Sequence, residues 1–323
     1  MRQIIRIVFA VLALLLAGAG IGQVYPNRPI RLVVPFPPGG GLDVIGRVVA
    51  AQVELQLGQN IVVDNRGGAN GIIGSELVAR APADGYTLMN NGAAALIAQI
   101  LNRKLPFDIE RDFTPITSIG HGTGYLMLVN ASSPVRTVKD LIALAKNKGS
   151  QISYGSAGVG NPNHLAMAMF SVHAGIDVIH VPYKGTAPSL TALMTGEVQF
   201  VSTPASAGLP QVRSGRLRAL AFTGTSRAAA LPDVPTVAEA GLADYAFGGG
   251  FVGWHAPAGT PRATVSRLQQ EVYKALQVPK VRDSVETGGY NPGGESPDEF
   301  GKFIRAQFDK YRQAVKAAGI QTD

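Results

Sequence analysis

The chain has 323 residues, of which 46% are apolar and 16% are charged, so it can bury a sizeable core and is not expected to be disordered. This length suits one large α/β unit or two lobes, because single cores stop growing near ~250–300 residues. The absence of cysteine excludes disulfides, thiolate chemistry and cysteine-based metal sites. The net charge of +7 comes from scattered basic residues, which argues against nucleic acid as a partner and suits small anionic ligands.

Residues 1–23 have the three-part layout of a secretory signal peptide. A basic start at residues 1–6 precedes an apolar run at 7–16 and small residues that suit cleavage at 17–19. The apolar run is too short for a comfortable membrane-spanning helix, although an uncleaved anchor is the alternative. We therefore expect a cleaved signal peptide, a periplasmic location and, because no cysteine is available to be lipidated, no lipid anchor.

The segment that follows predicts alternating strands and helices. Short apolar, β-branched runs predict strands at residues 30–34, 61–63 and 86–89. A glycine-rich turn at residues 36–41 follows the first strand, and apolar residues then recur at helical spacing from Val44 to Val53. This order is typical of a parallel α/β sheet.

The same order begins again beyond about residue 125. Apolar runs predict strands at residues 125–129, 152–154, 178–181, 198–201 and 217–222. Helices are predicted at residues 138–146, from about residue 164, and at residues 188–195. Thr137 and Asp140 have the spacing of a capping box at the first of these helices.

The last quarter of the chain is predicted to be helical. Apolar residues recur at helical spacing from Val265 to Leu276. Ser296, Pro297 and Glu299 form a strong helix start, and the apolar stripe that follows predicts packing against a core.

Five segments that follow predicted strands have the glycine, hydroxyl and amide groups that suit a small anion. Ligands of open α/β sheets bind beyond the carboxyl ends of strands, and a helix that begins there directs free N–H groups at an anion. The alternative is that these turns only reverse the chain, which is more plausible for one loop than for all five. The candidate ligand-binding residues are Phe36, Pro38, Gly39, Gly40, Asn91, Gly92, Ala93, Ser156, Gly158, Gly160, Tyr183, Lys184, Gly185, Thr186, Ser202 and Thr203.

Titratable residues near these loops have two interpretations each. Asp43 could contact a ligand, but a carboxylate repels an anion, so we expect it to cap the nearby helix start. Lys184 is a candidate partner for a carboxylate or an ordinary exposed lysine. His164 is a candidate ligand contact or a residue with local hydrogen bonds. The other histidines lack metal-ligand spacing, so we expect no metal and no cofactor.

Motifs of catalysis are mostly absent from these loops. Residues 155–158 lack the Gly-x-Ser-x-Gly spacing of a nucleophile elbow, and residues 155–160 lack the glycine order of a dinucleotide site. There is no Walker lysine and no clear pair of nucleophile and general base. The glycine, hydroxyl and amide groups of these loops favour reversible binding, so we expect no enzymatic activity.

Ten short segments, in this order along the chain, resemble the substrate-binding proteins of tripartite tricarboxylate transporters, the Bug family of bacterial periplasmic receptors. Each segment is weak alone, and their order makes the resemblance specific over nearly the whole chain after the leader. The segments are residues 25–30, 36–40 with Asp43, 62–66, 83–88, 112–115, 154–156 through 164–166, 181–185, 217–221, 231–236 and 256–261.

The resemblance implies a type II-like Venus flytrap, in which two lobes, each a mixed sheet flanked by helices, enclose the ligand. Strands would cross between the lobes near residues 125–129 and 247–255. Lobe 1 would comprise residues 24–125 and 248–323, and lobe 2 residues 126–247. The loops at residues 36–41, 156–164 and 183–186 would hold the ligand.

The implied function is capture of a small organic carboxylate, either a di- or tricarboxylate or an aromatic acid, by lobe closure. The receptor would be monomeric and would deliver its ligand to integral-membrane permease subunits. Two alternatives are a sensor that presents its carboxylate to a membrane signalling partner and a secreted hydrolase or transferase.

Three positions depart from the family's pattern and are expected to border the cleft. They are the Val201-Ser202-Thr203-Pro204 segment, the Ala98-Gln99 pair and the displaced Trp254. Small residues at 93–95 and 248–250 are expected to leave room for a larger or flatter ligand. These features leave the identity of the acid open.

Overall fold

The structure is a computed structural model, and it describes residues 25–102, 104–147 and 151–320. The predicted signal peptide at residues 1–23 lies outside the described residues. Two mixed β-sheets, each flanked by helices, form two lobes. The predicted α/β fold with two lobes is therefore confirmed.

The first lobe is built on a six-stranded sheet with the order β11-β4-β10-β3-β1-β2. Its strands are β1 (Ile30–Val34), β2 (Ile61–Asn65), β3 (Thr87–Gly92), β4 (Phe113–Gly122), β10 (Phe251–Pro257) and β11 (Tyr290–Pro292). Strand β1 is parallel to β2 and β3, whereas β10 is antiparallel to β3 and β4.

The second lobe is built on a five-stranded sheet with the order β7-β6-β8-β5-β9. Its strands are β5 (Leu126–Asn130), β6 (Ser153–Ser156), β7 (Ile179–Pro182), β8 (Phe200–Thr203) and β9 (Leu217–Phe222). Strand β6 is parallel to β7 and β8, whereas β5 is antiparallel to β8 and β9.

Helices connect and cover the two sheets. They are α1 (Gly41–Leu57), α2 (Ile72–Ala79), α3 (Ala93–Leu101), α4 (Ile109–Asp112), α5 (Val138–Lys146), α6 (Pro162–Ala174), α7 (Thr186–Thr195), α8 (Ala205–Arg213), α9 (Arg262–Gln277), α10 (Pro279–Thr287) and α11 (Pro297–Ala317). A 3₁₀ turn, Ala69–Gly71, precedes α2.

Local sequence signals set several of these boundaries. At α5 the Thr137 hydroxyl accepts a hydrogen bond from the Asp140 amide at 3.1 Å, and the Asp140 carboxylate accepts one from the Thr137 amide at 2.9 Å. Ser296 and Glu299 form the same reciprocal pair at α11. Both predicted capping signals are confirmed, because each satisfies donors that a helix start leaves unpaired.

Two long strands of the first sheet, β4 and β10, were not predicted by the apolar patterning. Pro115 lies within β4 and has no N–H for the ladder, which argues against a central strand. The structure accommodates it where the register between the two strands shifts, opposite the step from Trp254 to His255. The regular ladder is interrupted at this bulge, so the hydrogen bond that Pro115 cannot donate is not needed there. The antiparallel β10 makes the first sheet mixed.

The chain passes between the lobes in two neighbouring places. The outgoing segment is residues 123–125, between β4 and β5, and the return precedes β10. The two are tied together, since the Gly122 amide donates to the Gly250 carbonyl at 2.6 Å and the Thr223 amide donates to the Tyr125 carbonyl at 2.9 Å. We propose lobe boundaries near residues 125 and 248, as the resemblance implies.

The C-terminal helix α11 belongs to the core of the first lobe and also touches the second. Its buried residues are Phe300, Ile304, Phe308, Tyr311 and Val315. They pack against α3 and β4, and the helix also contacts α6 of the second lobe. Among the described residues, no helix is both long enough and apolar enough to span a membrane.

Candidate functional site

A cleft between the two lobes has a cavity volume of about 60 Å³. Both lobes and both crossing segments contribute to its walls. The lining residues are Phe36, Gly40, Gly41, Leu42, Gly92, Ala93, Ala94, Tyr125, Ala157, Asn161, Pro162, Thr186, Pro204, Gly250, Phe251 and Tyr290.

Five helices begin at this cleft. Helices α1 and α3 approach it from the first lobe, and α6, α7 and α8 approach it from the second. The first N–H groups of a helix have no partner within the helix, and they carry part of the positive end of its dipole. Positive potential therefore faces one cavity from both lobes.

Four of these five helices have no side-chain cap among the described residues. Their cap positions are Gly40, Gly92, Gly185 and Pro204, and only Asn161 of α6 caps with its side chain. Helices α9 and α10, which do not border the cleft, also lack side-chain caps. The convergence of uncapped helix starts, rather than any single one, is an arrangement that suits an anion.

Two tyrosine hydroxyls complete the polar lining. The Tyr125 hydroxyl accepts a hydrogen bond from the Gly250 amide at 3.0 Å. Tyr290 lies beside the start of α1, where a Cβ built on Gly41 would be 3.1 Å from its hydroxyl oxygen. Burial raises the pKa of both phenols far above the usual value, so both stay protonated and can donate to a ligand.

No charged side chain lines the cavity among the residues that the structure describes. Asp43 is buried just behind the α1 start, where its carboxylate accepts hydrogen bonds from the Gly39 amide and the Asn65 side chain, each at 2.9 Å. Its ion pair with Arg47, also 2.9 Å, balances its charge. The expectation that Asp43 caps the helix start is wrong, because the cap position is Gly40 and Asp43 lies in the first turn, from which it holds the preceding loop.

The structure brings five of the predicted ligand-binding residues to the cleft wall. They are Phe36, Gly40, Gly92, Ala93 and Thr186. All but Phe36 are helix caps or first helical residues. Their backbone groups face the cavity region because a helix begins at each of these loops, as the sequence predicted.

Three more predicted residues line a second depression, the outer groove, which has a volume of about 360 Å³. Gly158, Tyr183 and Lys184 lie there, together with Phe36 and Ala157, which also line the cleft. The Tyr183 hydroxyl donates to Glu197 at 2.7 Å, and Lys184 is exposed. The outer groove therefore lies next to the cleft, with Phe36 and Ala157 shared between them.

The prediction that Asn91, Gly92 and Ala93 belong to a loop after the third strand is wrong, because β3 extends to Gly92 and α3 begins at Ala93. Asn91 is buried, and its side-chain oxygen accepts a hydrogen bond from the Gly92 amide at 2.8 Å. Asn90 donates to the Leu42 carbonyl of α1 at 2.7 Å. The asparagines hold the two helix starts at the cleft and do not line it.

His164 does not line the cleft either. Its Nδ1 accepts a hydrogen bond from the Gly160 amide at 3.1 Å, and its ring stacks on His180 with the centroids 3.9 Å apart. Burial lowers the pKa of His164 to about 3, with a smaller contribution from His180, so the ring is neutral at pH 7. Gly160 packs against Leu101, with which a Cβ would overlap. Local hydrogen bonding is the interpretation that the structure supports.

The remaining predicted residues lie behind or beside the walls. Ser156 is buried, and its hydroxyl lies 2.6 Å from Nε2 of His180. Ser202 and Thr203 are buried in β8, and neither hydroxyl has a hydrogen-bond partner among the described residues. Pro38 and Gly39 are exposed beside the cleft mouth. Gly185 caps α7 and contacts Pro37 of the first lobe.

Two of the departures from the family pattern do not border the cleft, which corrects that expectation. Gln99 holds the start of α4, because its side chain donates to Asp108 and accepts from the Ile109 amide, both at 2.8 Å. Trp254 is fully buried in the core of the first lobe. In the third departing segment, only Pro204 reaches the cleft.

Several lining residues were not singled out from the sequence. The small residues at 93–95 and 248–250 were a usable signal, since Ala93, Ala94 and Gly250 do line the cleft. Tyr125 was assigned only to a strand, and Tyr290 lies on the three-residue β11, which has no local signal. Only the paired sheet places these tyrosines together. No cluster of metal-binding side chains occurs among the described residues.

Comparisons with known proteins agree with this geometry. A family model described as the tripartite tricarboxylate transporter family receptor matches residues 45–320. The solved periplasmic binding protein BugD is 30% identical, with a TM-score of 0.87 over 93% of this chain and 100% of BugD.

Two similar structures were solved with a carboxylate. Rpa4515 of R. palustris, with adipate, is 34% identical and has a TM-score of 0.89 over 93% of this chain and 100% of its own. MatC from Rhodopseudomonas palustris, with bound malate, is 28% identical and has a TM-score of 0.83 over 90% of this chain and 100% of its own.

Proposed function

The chain belongs to the tripartite tricarboxylate transporter receptor family, and on that premise we propose that its cleft binds a small organic acid with two carboxylates. Members of this family are periplasmic solute-binding receptors and not enzymes, so the chain binds its solute without transforming it. The adipate and malate of the two similar structures are the chemical class that supports the proposal.

The observation behind this proposal is the arrangement of helix starts around a cavity whose described lining contains no charged side chain. A carboxylate needs several hydrogen-bond donors, and free helix N–H groups supply them together with favourable dipoles. Because α1 and α3 approach from one lobe and α6, α7 and α8 from the other, each lobe offers a place for one carboxylate. The apolar residues Phe36, Leu42 and Phe251 suit a short carbon chain between them.

Capture would proceed by closure of the lobes. One carboxylate docks on the helix starts of the first lobe, and hinge motion about residues 123–125 and the segment before β10 brings in the second lobe. Ligand stabilises the closed state only to the extent that it binds it more tightly than the open state. In the structure the mouth is narrow, since a Cβ built on Gly185 would lie 2.9 Å from Cδ of Pro37.

We also propose that the loaded receptor delivers its ligand to integral-membrane permease subunits, a role that the family description supports. Export to the periplasm rests on the leader predicted at residues 1–23. A closed receptor presents both lobe surfaces in one fixed arrangement, which is what a membrane partner could distinguish from the open form.

Isothermal titration calorimetry against mono-, di-, tri- and aromatic carboxylates tests the binding proposal. We expect at least one aliphatic dicarboxylate to bind in the micromolar range or tighter, and monocarboxylates of equal length to bind at least tenfold more weakly. The difference is expected because a monocarboxylate leaves one lobe's helix starts without a partner.

The Tyr125→Phe variant sharpens this test. It removes one hydroxyl from the lining, and we expect about a tenfold loss of dicarboxylate affinity from the missing donor. Tyr273→Phe is the matched control, since Tyr273 is 49% exposed on α9 and outside the cleft. Binding of none of the acids, or equal affinities for mono- and dicarboxylates, would contradict the proposed function.

A further inference from the structure

A direct side-chain contact joins the two lobes at the rim of the cleft. The Asn70 side chain, between β2 and α2, donates to the Val159 carbonyl, between β6 and α6, at 2.8 Å. The Asn161 side chain lies within 3.5 Å of the Asn70 side-chain oxygen. One asparagine of the first lobe thus bonds the second lobe through both ends of its amide.

The backbone around Asn70 is shaped to present this amide. Asn70 has φ 51° and ψ 39°, a left-handed conformation that asparagine tolerates better than most residues. Gly68 and Gly71 flank it with φ values of 130° and 90°. A Cβ built on Gly71 would be 3.2 Å from the Phe36 ring, so the turn packs directly on a cleft wall. A chain reversal alone does not require a polar side chain at this strained position.

The contact lies between the cleft and the outer groove. Asn161 and Phe36 line the cleft, whereas Asn70 and Val159 line the outer groove. A ligand that fits within the cleft leaves the contact intact. A ligand long enough to extend past Phe36 and Ala157 enters the outer groove and meets the Asn70 turn.

The opposite side of the interface has its own bonds beside the crossing segments. The Ser206 amide donates to the Gly288 carbonyl at 3.0 Å, and the Thr123 amide donates to the Gly289 carbonyl at 2.9 Å. Because Thr123 is in a crossing segment, these bonds lie near the axis of a hinge motion. Val159 and Asn70 lie at the mouth, so opening of the lobes breaks their bond.

We propose that Asn70 is a specificity-determining residue that selects ligands by length, because its bonds to Val159 and Asn161 form only when the ligand lies wholly within the cleft. The inference rests on the proposed function and adds that short dicarboxylates are favoured over long ones. Short ligands gain the free energy of the bonds from Asn70 to Val159 and Asn161. Longer ligands keep these residues apart and bind without that gain. Asn70 acts on affinity without touching the short ligands.

The test is a calorimetric series with succinate, adipate, suberate and sebacate on the full mature protein. Asn70→Gly removes the side chain and keeps the left-handed backbone, and Asn70→Asp keeps an acceptor for Asn161 but loses the donor to Val159. Asp244→Gly is the matched control, because Asp244 is exposed on the second lobe and also has a positive φ, 65°. Far-UV circular dichroism and thermal midpoints report whether each variant is folded.

We expect the unsubstituted protein to bind the short members of the series more tightly than sebacate. Both Asn70 variants should lose about tenfold in affinity for the short members and almost none for sebacate, which reduces the preference for short ligands by the same factor. Asp244→Gly should change neither.

The outcomes separate this inference from the proposed function. If no member of the series binds the unsubstituted protein, the proposed function fails. If dicarboxylates bind but Asn70→Gly weakens all lengths equally, weakens none, or the unsubstituted protein shows no length preference, selection by Asn70 is wrong and the proposed function stands.

Discussion

Two glycines lie where the lobes approach each other. Gly39 and Gly158 have φ values of 83° and 136°, which side-chain-bearing residues rarely adopt. Gly158 also faces the rim, where a Cβ would lie 3.2 Å from the Asn70 side-chain oxygen. A side chain at either position both strains the loop and occupies space that closure requires.

We expect Gly158→Leu and Gly39→Leu to abolish dicarboxylate binding in calorimetry while the far-UV circular dichroism spectrum stays unchanged. Gly175→Leu is the control, since Gly175 has φ 60° at the end of α6 and, among the described residues, no heavy atom within 4 Å of a Cβ. All three changes should cost about 1–2 kcal/mol of stability from the left-handed backbone. Unchanged affinity in both loop variants would show that these glycines are not needed for closure on a ligand.

At the scale of elements, the helix starts at the cleft differ from those of α5 and α11 in how they are capped. The helices at the cleft begin after glycine or proline, apart from α6, whereas Thr137 and Ser296 close α5 and α11. A side-chain cap satisfies N–H groups that a ligand would otherwise bind. The structural and the ligand-binding roles of a helix start therefore call for different residues at the cap.

Thr137→Ala should lower the free energy of unfolding by about 1 kcal/mol, because α5 loses the cap that bonds the Asp140 amide. Dicarboxylate affinity should stay the same, since Thr137 does not line the cleft. Urea unfolding and calorimetry measure the two effects. Thr191→Ala, which removes a hydroxyl bonded to the Ala187 carbonyl inside α7, is the comparison and should cost less. A large loss of affinity in Thr137→Ala would mean that α5 contributes to the site.

At the scale of the whole molecule, buried histidines link stability to pH while the cleft does not titrate near neutrality. Burial lowers the pKa of His255 and His180 to about 4 and that of His164 to about 3. The unfolded chain binds protons near pH 6.5, so it takes them up before the folded chain does. The contribution of these histidines to stability does not change above pH 7, and it falls as the pH decreases from about 6.5 towards 4.

We expect the free energy of unfolding, measured in urea, to fall by about 1–2 kcal/mol per buried histidine between pH 7 and pH 5. Dicarboxylate affinity should change little between pH 6 and pH 8, because both cleft phenols remain protonated and no charged side chain lines the cavity in the described part of the chain. His255→Gln, at a buried site, should flatten the pH dependence of stability. An equal slope in that variant would assign the dependence to other groups.

The amino-acid sequence by itself determined the elements and their chemistry. Apolar runs placed β1 and β9 at their observed bounds, and capping signals placed the starts of α5 and α11. Glycine-rich loops after strands identified the side of the sheets on which helix starts gather. These features depend on contacts within a few residues, which a sequence pattern contains.

The tertiary structure alone decided which of these groups meet. Strand β10 returns from the second lobe and pairs between β3 and β4, which places Gly250 and Phe251 in the cleft beside Tyr125. Asn70 and Val159 are 89 residues apart in sequence and bond only because the lobes close on each other. The loops could be predicted from the sequence because each depends on a local pattern. The residues that they contact could not, because those contacts join segments that are far apart in the sequence and share no local pattern.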